Sequence, residues 1–275
     1  MKKSSVLNEN NFKFNKKYGQ NFIFDKNLLK AIIKDSNITE EDDVLEIGPG
    51  AGTLTEAIAE KAKKVVSYEI DINLKPILNE NLKDLKNSKV IFADALNTDI
   101  QEIEKNFEGN YKIVANLPYY ITTPLIFKFV KQTKKVISMS IMVQKEVGER
   151  LIAKNTDNDY GAISVILDFY GDVKILRHVP RKMFVPSPNV DSCVVQINFQ
   201  NNKYNCNQEI FEKIVKAAFA NRRKTLANNL STLVMLSKTE IAEILEQNGF
   251  AKDIRGDALS TQDFVKISLI FDKYI

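Results

Sequence analysis

The chain has 275 residues, 44% of them hydrophobic and 27% charged, the mix of a globular protein with a substantial core. Lysine and arginine exceed aspartate and glutamate by four, and Lys2, Lys3, Lys13, Lys16 and Lys17 against Glu9 place that whole excess in residues 1–20. A basic arm on a neutral body suits a polyanionic partner, while the ordinary reading of residues 1–12 is a solvated terminus. A single histidine (His178) and two cysteines 13 residues apart (Cys193, Cys206) exclude a His-based triad, a zinc finger and a disulfide framework, and no metal is expected. No apolar run reaches transmembrane length, and MKKSSVLNENNFKF has no apolar stretch of the signal-peptide kind. A reducing, cytoplasmic setting without a membrane follows as the expectation.

From about residue 25 to 200, β-rich runs alternate with helical patterns. The predicted strands are Val44–Ile47, Lys64–Glu69, Lys89–Ala93, Tyr111–Asn116, Val136–Val143, Val165–Tyr170 and Ser192–Phe199. Helices are predicted near 26–35, 53–63, 73–86, 122–131 and 145–154. This rhythm indicates an α/β fold, a mostly parallel sheet with right-handed crossovers and helices on both faces. Pro180, Pro186 and Pro188 bar residues 179–190 from a central strand or a helix interior. Beyond a polar stretch, Gln200–Gln208, the strand signal fades. Ile210, Phe211, Ile214, Val215, Ala218 and Phe219 recur at helical spacing. Helices also fit 224–236, 239–248 and 261–272, the last with Ser260 and Asp263 as a capping box. The expected division is a basic arm over 1–20, a catalytic domain over 21–202 and a helical domain over 203–275.

Four constellations carry chemistry. Leu45-Glu46-Ile47-Gly48-Pro49-Gly50-Ala51-Gly52 runs a buried strand into a turn with glycines at alternate positions. The glycines admit positive φ and a close ligand. The spacing is not the dinucleotide G-x-G-x-x-G, and Pro49 removes an N–H that a pyrophosphate would want. A nucleoside without phosphate fits better than an ordinary βα turn. Glu69 ends the next strand 17 residues after Gly52, where a carboxylate can accept both ribose hydroxyls. Asp71 is the competing acid, better suited to capping the following helix. Asp94 follows the third strand, in reach of an adenine amine, though alone it would read as a turn or cap residue.

Asn116-Leu117-Pro118-Tyr119 ends the fourth strand and speaks about the reaction. The exocyclic amine of a purine is a poor nucleophile because its lone pair is delocalised into the ring. A side-chain amide oxygen and a backbone carbonyl that accept its two N–H groups favour a pyramidal, more nucleophilic nitrogen. Proline fixes the backbone that holds the carbonyl, and Tyr119 offers a stacking face. The plain alternative is a proline turn with a packed tyrosine.

With these blocks in view, the chain resembles the adenine-N6 dimethyltransferases of small-subunit ribosomal RNA over nearly its whole length. The resemblance rests on Gly19-Gln20-Asn21-Phe22, E-I-G-P-G-x-G at 46–52, Glu69, Asp94-Ala95-Leu96, and Asn116-Leu117-Pro118-Tyr119 continuing into Ile121-Thr122-Thr123-Pro124. It extends through Gln144-Lys145-Glu146-Val147, Tyr160-Gly161, Phe184-x-Pro186-x-Pro188-x-Val190-Asp191-Ser192 and Ala218-Phe219-x-x-Arg222-Arg223-Lys224-Thr225. It implies a class I (Rossmann-like) S-adenosylmethionine-dependent methyltransferase domain with a small all-helical C-terminal domain. The implied reaction dimethylates two adjacent adenines in the 3′-terminal hairpin of small-subunit RNA, on an immature 30S subunit, and releases S-adenosylhomocysteine. A cytoplasmic monomer acting in ribosome biogenesis is expected.

The resemblance also assigns residues. Asn21 and Ile23 would touch the cofactor from the arm, and Gly48 would lie against its methionine part. Glu69 would hold the ribose and Asp94 the adenine amine, with Gly50, Ile70 and Ala95 completing the cofactor set. Asn116, which would border the cofactor as well, and the Leu117 carbonyl, kept in place by Pro118, would hold the target amine. Tyr119 and Phe184 would sandwich a flipped base, although Phe184 among prolines otherwise reads as a core aromatic. Arg222, Arg223, Lys224, Arg181 and Lys182 are the expected phosphate contacts, with Arg177 beside them, giving affinity rather than sequence. Tyr120, where many relatives carry a polar residue, and Ile23 in place of a common leucine are departures. Rival readings are a large-subunit RNA adenine methyltransferase of the macrolide-resistance type, which typically has Asn-Ile-Pro-Tyr, a DNA adenine methyltransferase, and an RNA-binding assembly factor whose methylation is dispensable.

Overall fold

A computed structural model describes residues 21–118, 121–133, 135–200 and 203–275. The basic arm, Tyr119 and Tyr120 therefore lie outside the described residues. The strands are β1 (Phe22–Ile23), β2 (Asp43–Ile47), β3 (Lys64–Glu69), β4 (Ser88–Phe92), β5 (Tyr111–Asn116), β6 (Val136–Gln144), β7 (Gly171–Val179), β8 (Phe184–Val185) and β9 (Ser192–Phe199). Seven of them form one sheet in the order β4-β3-β2-β5-β6-β9-β7. The first five of these run parallel, and β9 returns antiparallel to β6, Met139 opposite Ile197 and Gln144 opposite Ser192.

Burial explains the parallel core. Val44, Leu45, Val65, Val66, Ile113 and Val114 are all buried, as expected where helices cover both faces of a sheet. The helix Lys26–Asp35 turns Leu29, Ile32 and Ile33 inward, and the Asp25 side chain caps it by accepting from the Leu28 N–H at 2.8 Å. The sequence of strands reverses direction between β2 and β5: β3 and β4 lie to one side, β5 and β6 to the other. In open α/β sheets the crevice beyond the strand ends at such a switch point is where ligands bind. Here those ends are Ile47 and Asn116.

One predicted strand is corrected. Val165–Tyr170 lies in a helix, Ala162–Tyr170, and the strand begins just beyond it at Gly171. Val165, Ile166, Leu167 and Phe169 are all buried, so the run carries no amphipathic period, and a short apolar run of this kind does not distinguish helix from strand. The helix expected over 224–236 is also shorter, Leu226–Leu230, because Ser231 and Thr232 hydroxyls donate back to the Asn228 and Asn229 carbonyls and compete with its continuation. The Ser260–Asp263 capping box forms as expected.

The chain divides into two compact units. One runs to Gly148 and resumes over Lys174–Phe199, and the other comprises Glu149–Val173 and Gln200–Ile275. Segment 149–173, which the sequence puts in the catalytic part, thus groups with the C-terminal helices. The contacts are aromatic: Phe169 stacks on Phe211 with centroids 4.0 Å apart and on Tyr204 at 5.6 Å. Tyr160 meets Phe219 edge-on, and its hydroxyl donates to the Leu259 carbonyl at 2.8 Å. No helix among the described residues is long and apolar enough to cross a membrane.

Candidate active site

A cleft of about 180 Å³, partly open to solvent, lies at the switch point of the first unit. The glycine turn after β2 forms its floor. Gly48, Gly50 and Gly52 have φ of 71°, 58° and 79°, a region in which side chains are strained. The Gly48 N–H donates to the Tyr68 carbonyl at 2.9 Å, tying the turn to β3. A Cβ on Gly48 would make ordinary contact with the Asn116 carbonyl oxygen at 3.9 Å, so glycine is required there by its positive φ rather than by crowding. At Gly50 the reason for glycine is contact: a Cβ there would come within 2.5 Å of the Phe22 ring.

Glu69, at the end of β3, is only 4% exposed. Its Oε2 accepts from the Gly50 N–H at 3.1 Å and its Oε1 from the Asp71 N–H at 2.8 Å. Each oxygen thus has one backbone donor and keeps a lone pair for a further one. Burial raises its pKa above the ordinary carboxylate value, the backbone N–H groups of Asp71, Gly50 and Ile70 oppose that rise, and the neighbouring Asp71 charge adds to it. Asp71 caps the turn Ile72–Leu74 by accepting from the Asn73 N–H, the structural role expected of it.

Beneath the turn Glu46 is fully buried. Its Oε2 accepts from the Thr55 and Ser67 hydroxyls, both at 2.6 Å, while Oε1 has no partner among the described residues. Desolvation raises its pKa to about 7, against the pull of the two hydroxyls and with a push from Glu69.

Asp94 follows β4 in a turn held by its own side chain. Oδ1 accepts from the Leu96 N–H at 2.9 Å and Oδ2 from Asn97 Nδ2 at 2.6 Å. Ile70, 45% exposed, and Ala95 stand on the cleft wall with it. From the end of β5 come Asn116, Leu117 and Pro118. Asn116 Nδ2 donates to the Asn21 carbonyl at 2.8 Å. A carbonyl only accepts, so this bond fixes which end of the amide is nitrogen and leaves Oδ1 as the acceptor.

Residues 21–23 are pinned from three sides. β1 pairs with β8, Phe22 opposite Val185 and Ile23 opposite Phe184. The Thr53 hydroxyl donates to the Ile23 carbonyl at 2.7 Å, and Asn116 holds Asn21. Nine of the expected cofactor and amine-holding residues, Asn21 through Pro118, therefore meet with Asn116 in one cleft. Two do not line it. Ile23 is buried and faces a smaller adjoining cavity. Phe184, 3% exposed, packs in the core with Ile23, Leu29 and Val179, as its core-aromatic reading has it. Phe22, Leu96, Ile121 and Leu125 line the cleft without having been singled out. Phe22, Leu96 and Ile121 belong to the motif blocks themselves, and Leu125 follows one directly.

The basic residues fall in both units. In the first, Arg181 and Lys182 are exposed, with Arg181 Nη1 donating to the Asn189 carbonyl at 3.1 Å. Arg177 is committed to Asp35, with N–H groups at 2.7 and 2.8 Å from its carboxylate. In the second, Arg222, Arg223 and Lys224 are exposed in the turn between helices Gln208–Ala220 and Leu226–Leu230. Arg222 Nη2 donates to the Tyr160 carbonyl at 2.9 Å and the Asn158 carbonyl at 3.3 Å, so that residue also braces a loop.

The chain is similar to known proteins over nearly its whole length. The family model described as ribosomal RNA adenine dimethylase matches residues 11–273. A ribosomal RNA small subunit methyltransferase A of Clostridioides difficile is 45% identical over 271 residues, covering 97% of this chain and 94% of the relative. Its namesake from Lachnoclostridium phytofermentans is 42% identical, covering 98% and 95%. Among solved structures, a dimethyladenosine transferase from Plasmodium falciparum superposes with a TM-score of 0.78 at 26% identity, over 92% of this chain and 98% of that one. The 23S rRNA methyltransferase ErmE, at 22% identity and a TM-score of 0.71, shares the fold. The fold, the glycine turn with its strand-end acids and the match across nearly the whole chain lead to one conclusion: this protein belongs to the ribosomal RNA adenine dimethylase family.

Proposed function

We propose that the chain dimethylates the N6 amines of two adjacent adenines in the 3′-terminal hairpin of small-subunit (16S) ribosomal RNA, with S-adenosylmethionine as methyl donor. The observation that carries this reading is the meeting of Glu69, Asp94 and Asn116–Pro118, from the ends of β3, β4 and β5, around one cleft floored by glycines. S-adenosylmethionine, when bound, supplies a methyl group made electrophilic by its sulfonium.

The residues fit that group. Glu69 keeps one acceptor site on each oxygen for a ribose diol. Asp94 offers an acceptor for an adenine amine, with Ile70, Ala95 and Leu96 as apolar walls. Gly48 lines the cleft without a side chain, which lets a ligand chain come close to the backbone of the turn. Asn116 Oδ1, oriented by the Asn21 carbonyl, and the Leu117 carbonyl accept the two hydrogens of the target amine and hold its lone pair toward the donor. Pro118 keeps that carbonyl still. The transfer needs no shifted acid or base, because the methylated amine loses its proton to water. Catalysis is then positioning. S-adenosylhomocysteine leaves as the product.

Arg181, Lys182, Arg222, Arg223 and Lys224 are exposed and are assigned to RNA phosphates. The stacking role of Tyr119 rests on the family motif alone. Phe184 is better placed to support β1 than to stack on a base. The immature 30S subunit as partner, the monomeric state and a cytoplasmic site of action belong to the same proposal; the names of the relatives support small-subunit ribosomal RNA as the substrate.

The test is a labelled-methyl assay offering undermethylated small subunits, large-subunit RNA and adenine-containing DNA in parallel. Dimethyladenosine is expected only from small subunits and is lost in Asn116→Ala. Label in large-subunit RNA, or binding of subunits with no label on any substrate, overturns the reading.

A further inference from the structure

Lys128 lies on the helix Thr122–Gln132 between Leu125, Ile126, Phe129 and Val130, all buried. It is itself 8% exposed, an unusual place for a lysine without a purpose for its charge. Its ammonium donates to the Ala95 and Leu96 carbonyls, each at 2.9 Å, and to the Thr98 carbonyl. A lysine has three N–H donors, and here all three meet backbone oxygens of one loop. Burial lowers the affinity of the amine for its proton, and the charges of Asp94 and Asp99 oppose that effect.

The loop is the one that carries Asp94. Asp94 Oδ1 accepts from the Leu96 N–H, so the carbonyls gripped by Lys128 belong to the same turn that aims the Asp94 carboxylate. The helix that carries Lys128 begins four residues after Pro118 and contributes Leu125 to the cleft, with Ile121 just before it. We infer that Lys128 is a positioning residue: it holds the Asp94–Thr98 loop in the one arrangement that reads the adenine amine of the cofactor, and it fastens that loop to the helix behind the target-amine motif. This inference rests on the methyl-transfer reading above and extends it to the specificity of the nucleoside site.

A purely structural lysine would change stability and leave base selectivity untouched. The two are separated by measuring binding of S-adenosylhomocysteine and of S-inosylhomocysteine, which has an oxygen where adenine has its amine. A site that accepts hydrogen bonds from the amine rejects the analogue strongly, here by on the order of 100-fold in the parent chain. In Lys128→Met, S-adenosylhomocysteine binding should weaken by about 10-fold and the selectivity fall below about 10-fold, from loss of the loop's three charge-assisted bonds. A folded variant whose selectivity ratio equals the parent's overturns the inference. If Lys128→Met does not fold, Lys128→Gln keeps two N–H donors and is expected to lose part of the selectivity, and an unchanged ratio there overturns it equally. A parent chain that binds neither compound refutes the methyl-transfer reading itself, a result distinct from an unchanged ratio.

Discussion

Glu46→Gln is expected to flatten the dependence of stability on pH. The parent carboxyl is sealed beneath the glycine turn and titrates at about 7 instead of the usual 4.5. A carboxyl whose folded value is raised binds its proton more tightly in the native state. Its contribution is therefore complete below 4.5 and is lost as pH rises through about 7. At about 1.4 kcal/mol for each pH step between the two values, the loss reaches about 3 kcal/mol by roughly pH 8. Glutamine carries no charge at any pH, and its carbonyl oxygen can accept from the Thr55 and Ser67 hydroxyls as Oε2 does. Its amide nitrogen takes the place of the unpartnered Oε1, at a cost of about 1–3 kcal/mol independent of pH. Urea unfolding of both proteins at about pH 5, 6, 7 and 8 should give curves that converge and then cross as pH rises. Glu69, raised in the same direction by burial, titrates in both proteins, so the difference reports Glu46 together with its coupling to Glu69. Parallel curves would show that Glu46 is ionised in the fold like any surface carboxylate.

Gly50→Ala should destabilise the chain by about 2–4 kcal/mol, from a positive φ and the displaced Phe22 ring together, and urea unfolding measures it; a change below about 0.5 kcal/mol would refute the contact argument. Glu69→Gln should weaken S-adenosylhomocysteine by about 10–100-fold in calorimetry through loss of charge-assisted bonds to the ribose, and the penalty should shrink for a 2′-deoxyribose analogue. Phe184→Ala should cost about 3–5 kcal/mol of stability as a core truncation. A variant as stable as the parent but unable to methylate would instead make Phe184 a base platform.

Most of the sheet was legible because each strand is a local run with a chemical end. β3, β5 and β9 have the bounds read from their apolar runs, and the acids and amide that close β3, β4 and β5 could be named as ligand groups before any fold was known. Val165–Tyr170 failed for the same reason that the others succeeded: it is an apolar run of strand length, and only its packing on Phe211 shows it to be a helix. Lys128 carries no sequence signal of its role, since nothing within its own helix reports the three carbonyls of Ala95, Leu96 and Thr98. Arg177 likewise read as a phosphate contact until Asp35, 142 residues away, was found holding it.

By itself the sequence determined the α/β class, the strand-end residues that line the cleft and the kinship of the chain, because hydrophobic period, glycine placement and motif order are all short-range signals. The tertiary structure alone decided which groups meet. It brought Asn21 to Asn116 and so chose the acceptor end of the amide, paired β1 with β8 and withdrew Phe184 into the core, and left Glu46 with half its carboxylate unpartnered. Those outcomes depend on contacts between residues far apart in the chain, where burial and competing hydrogen-bond partners, rather than local propensity, set the final state.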